Sequence, residues 1–134
     1  MVAVATLEAA IPDTQELLRR AGEIANGARD RALDTEQARR VSADLIGMMR
    51  DADLFRIMQP RAFGGFELGY DVFVEGVAAI AQGDGSTGWV YSFGAVHQWL
   101  IGCYSVEAQH DVWAKDANAI AAASYAPSGK AEDC

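Results

Sequence analysis

From Gly85 to Val106 the chain carries no Asp, Glu, Lys or Arg. At helical spacing, Trp89, Phe93, Val96 and Leu100 form one apolar stripe of this stretch, and Val90, Gly94, His97 and Ile101 form an adjoining one. Trp99 and Tyr104 add aromatic surface elsewhere. A helix that is apolar almost all round must be covered on most of its sides. It is not a membrane span, because four glycines and the polar Ser86, Thr87, Ser92, His97 and Gln98 interrupt it. Most of the remaining sequence must therefore gather around this helix. The other helices of a 134-residue chain are too short to cover it alone, so the sequence reads as the front portion of a larger fold, or as one that needs another chain.

The flanking sequence supplies those helices. Leu18, Ala21, Ala25, Ala28 and Ala32 set a helix over about Thr14–Ala32, with Asp13 or Thr14 as N-cap and Pro12 just upstream. Asp34 followed by Gln37 reads as a capping box that closes this helix and opens a second. Val41, Leu45, Met48, Met49 and Ala52 stripe the second, opposite Arg39, Arg40 and Arg50. The loop Gln59–Glu67 holds Pro60 and the pair Gly64–Gly65, which reads as a turn needing positive φ and fits no phosphate-loop pattern. Asp71 can cap a third helix with Phe73, Val77 and Ile80 inward, and Ser86 the apolar helix from Thr87. A short helix follows over about Val106–Ala114. Ala119–Tyr125 then reads as the start of a β-strand, turned by Pro127-Ser128-Gly129. A lone strand would leave its backbone groups unpaired. The expected division is a leader at 1–11, a helical domain at 12–118 and the start of a β domain at 119–134.

Charge narrows the partners. Lys plus Arg total 11 against 19 for Asp plus Glu, a net charge of −8. Nucleic acid and anionic membranes reward basic patches, so neither is expected as a partner. Residues 62–134 hold only Lys115 and Lys130 against nine acids, whereas residues 1–61 are nearly balanced. Cys103 and Cys134 stand far apart with no Cys/His cluster, which predicts neither a disulfide framework nor a metal site. No positive region precedes the apolar N-terminus, so no secretory signal is expected and the location is read as cytoplasmic.

The order of motifs carries a resemblance. Two amphipathic helices precede Leu54-Phe55-Arg56-Ile57-Met58-Gln59-Pro60-Arg61-Ala62-Phe63-Gly64-Gly65-Phe66-Glu67, and Gly83-Asp84-Gly85-Ser86-Thr87-Gly88-Trp89-Val90 follows. This resembles the N-terminal helical domain of the acyl-CoA dehydrogenase superfamily. Within it, Ser86-Thr87-Gly88-Trp89, Val96-His97-Gln98-Trp99 and Ser124-Tyr125-Ala126-Pro127-Ser128-Gly129-Lys130-Ala131 look like the two-component flavin-dependent monooxygenases, including those acting on p-hydroxyphenylacetate and phenolic steroid intermediates. The resemblance implies an all-α domain ending in the start of a β-strand, within a larger α+β fold that forms a homo-oligomer, a tetramer in that family. It implies an oxygenase component that hydroxylates an aromatic substrate through a flavin C4a-hydroperoxide. The reduced flavin, FMN or else FAD, comes from a separate flavin reductase. The other readings are a true acyl-CoA dehydrogenase and a non-catalytic helical module for oligomerisation.

Three residues are singled out by that resemblance. His97 matches a histidine beside the phenol oxygen of the substrate; on the sequence alone it reads as a hydrogen-bonded core histidine. Trp89, about two helical turns away on the same side, matches a residue against the flavin, and core packing is its other reading. Ser124 matches a small polar residue at the junction of flavin and substrate, or else satisfies local backbone. Among the rest, Cys103 reads as a small buried hydrophobe and His110 as a solvated surface histidine. Trp99, Trp113, Met48 and Met49 read as core or interface. Pairs such as Asp51/Asp53 and Asp111/Asp116 read as solvated faces.

Overall fold

The Asp13 side chain accepts a hydrogen bond from the Gln15 backbone N–H and starts helix α1, Thr14–Asp30. In this computed structural model, which describes residues 11–123 and 128–130, five more helices follow: α2 (Ala32–Ala38), α3 (Ala43–Asp51), α4 (Tyr70–Ala81), α5 (Gly85–Gly102) and α6 (Val106–Trp113). Two 3-10 turns, Leu54–Arg56 and Arg61–Phe63, lie between α3 and α4. All but Ile11 of the expected leader lies outside the described residues.

The buried stripe of α1 is Leu17, Ala21, Ile24, Ala25 and Ala28, so Leu17 takes the place expected for Leu18. This face packs on α4 and α3, and α4 in turn packs on α5. The expected capping box at Asp34 and Gln37 is not formed, because both residues lie inside α2. The break falls earlier, at Arg31, whose N–H bonds back to the Ala28 and Arg29 carbonyls. Arg39 ends α2 in the left-handed region at φ 55, and Ser42 caps α3 by accepting from the Leu45 N–H at 3.3 Å. Helix α4 starts after Gly69, with Asp71 in its first turn rather than at its cap. Phe73 and Ile80 face inward as expected.

Between α3 and α4 the chain folds back on itself. The N–H groups of Phe66, Glu67 and Leu68 donate to the carbonyls of Arg56, Gln59 and Ile57. Gly64 supplies the positive φ of 87° that this reversal needs. The fold-back delivers Leu54, Phe55, Ile57, Met58 and Phe66 to the core, where each large apolar side chain contributes about 1.5–3 kcal/mol by leaving water.

Helix α5 is capped by Asp84, not Ser86: the carboxylate accepts from the Thr87 N–H at 2.7 Å and from its hydroxyl at 2.6 Å. Its core face also differs from the expected stripe. The line Gly88, Tyr91, Ala95, Gln98 is buried, whereas Trp89 is 66% exposed and Trp99 50% exposed. Close approach explains the choice. A Cβ on Gly88 would sit 2.7 Å from the Ala81 Cβ, so only a small residue lets α5 cross α4 here. One turn further along α5, the Tyr91 ring lies over Gly76 of α4, where a Cβ would be 3.4 Å from the Tyr91 hydroxyl.

Trp113 is buried and packs on Phe63 with centroids 5.4 Å apart, while Cys103 is exposed at the end of α5, contrary to the buried reading. His110 is exposed, as expected. The strand expected from Ala119 is not formed by Ala119–Ala123; a strand exists only through a ladder to a partner, and the described residues form none. Tyr125 and Pro127 lie outside the described residues. Among the described residues no helix is long and apolar enough to cross a membrane.

Candidate functional site

A cavity of about 350 Å³ opens along the side of α5 that faces away from α4. One wall is the α5 surface itself, through Trp89, Val90, Phe93, Gly94 and His97. Phe55 and Ile46 close it from the α3 side, and the segment Ile120–Ala123 lies opposite. Among the described residues no charged side chain lines it. Its size falls in the range of small-molecule sites, which are mostly apolar with a few placed polar groups.

The polar group here is His97. It is only 3% exposed and lines the cavity. Trp89, Phe93 and His97 follow one another at four-residue spacing, so they stack along one side of the helix. Trp89 and Phe93 centroids are 4.8 Å apart with planes tilted by 46°, and Phe93 meets His97 edge-on at 5.9 Å. The exposed indole of Trp89 stands at the rim and the imidazole lies within. Ser124 lies outside the described residues, next to Ala123 of the cavity wall. The structure thus brings Trp89 and His97 to one cavity.

Residues that hold the opposite wall escaped the sequence reading. Gln98, 1% exposed, donates through Nε2 to the Ala119 carbonyl at 2.9 Å. Gln59, fully buried, donates through Nε2 to the Phe63 and Ala117 carbonyls, both at 2.9 Å. Arg56 adds a bond from Nε to Asn118 Oδ1 at 3.1 Å. Together they fix residues 117–119 and so aim Ile120–Ala123 at α5. A buried glutamine must find partners, and here they are backbone carbonyls distant in sequence.

A larger depression of about 510 Å³ lies between α2 and the start of α3, lined by Arg31, Asp34 and Asp44 among others. It contains neither Trp89 nor His97. The described residues hold no group of three or more His, Cys, Asp or Glu that could bind a metal ion.

No family model matches the chain. The crystal structure of the HsaA monooxygenase from M. tuberculosis matches it with a TM-score of 0.79 and 32% identity, over 81% of this chain and 30% of that one. The six helices therefore have the acyl-CoA dehydrogenase-like fold, of which they cover a part. Two curated proteins place them more closely. The oxygenase subunit HsaA of a flavin-dependent monooxygenase from Rhodococcus jostii (strain RHA1) is 40% identical over 101 residues, 75% of this chain and 26% of that protein. The oxygenase component of an FADH2-dependent resorcinol hydroxylase from Rhizobium sp. (strain MTP-10005) is 40% identical over 116 residues, 87% of this chain and 28% of that protein. These two relatives are named as oxygenase components of flavin-dependent hydroxylating enzymes, and the chain spans between a quarter and a third of their length.

Proposed function

We propose that the chain is a segment of the oxygenase component of a two-component flavin-dependent monooxygenase that hydroxylates a phenolic or other aromatic substrate. The observation that carries this reading is the shared cavity of Trp89 and His97, in a chain homologous to such components. The helical part is residues 12–118, and Ser124 joins the site from the segment that follows.

The residues present fit the ring system of a flavin. The cavity is apolar, its Ala121–Ala123 wall carries only methyl side chains, and an exposed indole stands at its rim. With no charged side chain among its described lining, it suits the rings and leaves the flavin phosphate to other residues. When bound, reduced flavin supplies the activation of O2 for electrophilic oxygen transfer. In this reading Trp89 packs against the isoalloxazine. His97 orients the substrate and favours its phenolate, since an imidazole N–H or an imidazolium beside the phenol oxygen stabilises the anion. Ser124 contributes a hydroxyl where flavin and substrate meet.

The flavin is FMN in our reading, delivered by a separate reductase; FADH2 is the form named for the resorcinol hydroxylase relative. The working enzyme is a cytoplasmic homo-oligomer. Anaerobic titration of the chain with reduced FMN and with FADH2, following flavin fluorescence and protein size together, tests the reading. Saturable binding that Trp89→Ala abolishes is expected. Saturable binding to neither flavin, or binding indifferent to Trp89→Ala, overturns the assignment of this cavity to the flavin.

A further inference from the structure

We propose that the contact between Phe55 and Gly94 sets the size of the aromatic ligand that the cavity admits, an inference that rests on the reading of this cavity as an aromatic site. The Phe55 ring lies against the bare α-carbon of Gly94: a Cβ built there would be 2.6 Å from Phe55 Cε1, 3.2 Å from Cδ1 and 3.5 Å from Ile120 Cγ2. Real Cβ atoms essentially never come that close, so the ring occupies space that any other residue at 94 would claim.

Phe55 is therefore two things at once, a core side chain only 5% exposed and a wall of the cavity. It has little room to retreat. Tyr91 stands behind it with centroids 5.6 Å apart, and the Tyr91 hydroxyl is tied to the Leu54 carbonyl, the residue just before Phe55. Gly94 is also one helical turn from His97, on the same side of α5. A ring held against His97 therefore meets the Phe55 ring at a separation fixed by the helix. The wall is rigid because the residues that make it belong to the core.

Size selection follows. Trimming Phe55 joins the space of its ring to the cavity, while His97 and Trp89 stay in place. The test is calorimetric titration of the chain with phenol, one ring, and 2-naphthol, two fused rings, for the unaltered protein, Phe55→Ala and Phe55→Leu. The affinity ratio of 2-naphthol to phenol is expected to rise about tenfold in Phe55→Ala, the scale on which pocket shape discriminates ligands. Phe55→Leu keeps the core filled, so it provides the test should Phe55→Ala fail to fold, and is expected to raise the ratio about threefold. An unchanged ratio in a variant with native helical circular dichroism overturns the size-setting role alone. Binding of neither ligand to the unaltered protein overturns the aromatic-site reading together with it.

Discussion

The Tyr91 hydroxyl donates to the backbone carbonyl of Leu54 across 3.1 Å, tying the middle of α5 to the turn that follows α3. Tyr91 is fully buried, and burial pushes its phenol well above the ordinary value of 10, so the donor proton is retained throughout the neutral and moderately alkaline range. Removing the hydroxyl with Tyr91→Phe leaves a buried carbonyl without that donor. The expected loss is about 1–3 kcal/mol, read from the midpoint of a urea denaturation curve. A midpoint that does not move would show that the bond is replaced on mutation.

Two glycines on helices should respond in opposite directions. At Gly88 a methyl group would meet the Ala81 Cβ at 2.7 Å and its Cα at 2.9 Å, so Gly88→Ala is expected to cost about 1–3 kcal/mol by forcing α4 and α5 apart. At Gly22, in the interior of α1, a Cβ meets nothing within 4 Å. There the gain in helix propensity prevails, and Gly22→Ala should stabilise by about 0.5–1 kcal/mol. Thermal melts of the two variants side by side check both signs.

Acid sensitivity has an identifiable source on α1. Arg19 first, through hydrogen bonds at 2.7 and 2.8 Å, and then Arg20 at 2.9 Å, hold the Glu16 carboxyl down from its ordinary 4.5 to about 2. A carboxylate depressed in the folded state stabilises above its unfolded value, and that contribution disappears as pH falls from 4.5 towards about 2. Glu16→Gln should therefore lower the melting temperature at pH 7 and leave it nearly unchanged at pH 2. The Arg19 pair is exposed and the Arg20 pair half-buried, so the difference at pH 7 should shrink in about 1 M salt. A difference that persists at pH 2 would assign the effect to something other than charge.

The role given to His97 separates polar from apolar ligands. His97→Ala is expected to weaken phenol binding about tenfold, the worth of a hydrogen bond in a desolvated site, and to leave toluene binding nearly unchanged. Calorimetry with both ligands reads the difference directly. Equal losses for the two would reduce His97 to a packing residue.

Much of this architecture can be read from residue order. The helices sit close to where apolar spacing and breakers put them, except that the expected second helix is split at Arg39–Ser42 into α2 and α3, leaving Val41 between them; the Gly64–Gly65 turn takes its positive φ at Gly64. The buried face of α5 was harder to see. Its 3.6-residue periodicity is nearly flat because apolar residues occur all round, so hydrophobicity alone cannot rank Trp89 against Tyr91. What decides is crossing distance, set by Gly88 and Ala81, and a partner for a buried hydroxyl 37 positions away in sequence. The motif pair marked in the sequence, Trp89 and His97, lines one cavity. The opposite wall was not legible, because residues 117–119 are held by long-range bonds from Gln59 and Gln98 that no local pattern announces.

The three tryptophans also make the chain its own optical probe. Trp89 and Trp99 are half or more in water, whereas Trp113 is 2% exposed beneath Phe63. Their emission divides into a red-shifted pair and a blue-shifted single fluorophore. A neutral quencher such as acrylamide reaches the pair and spares Trp113. Of the two that it reaches, only Trp89 borders the cavity, so Trp99→Phe leaves one accessible fluorophore that reports whatever enters beside His97.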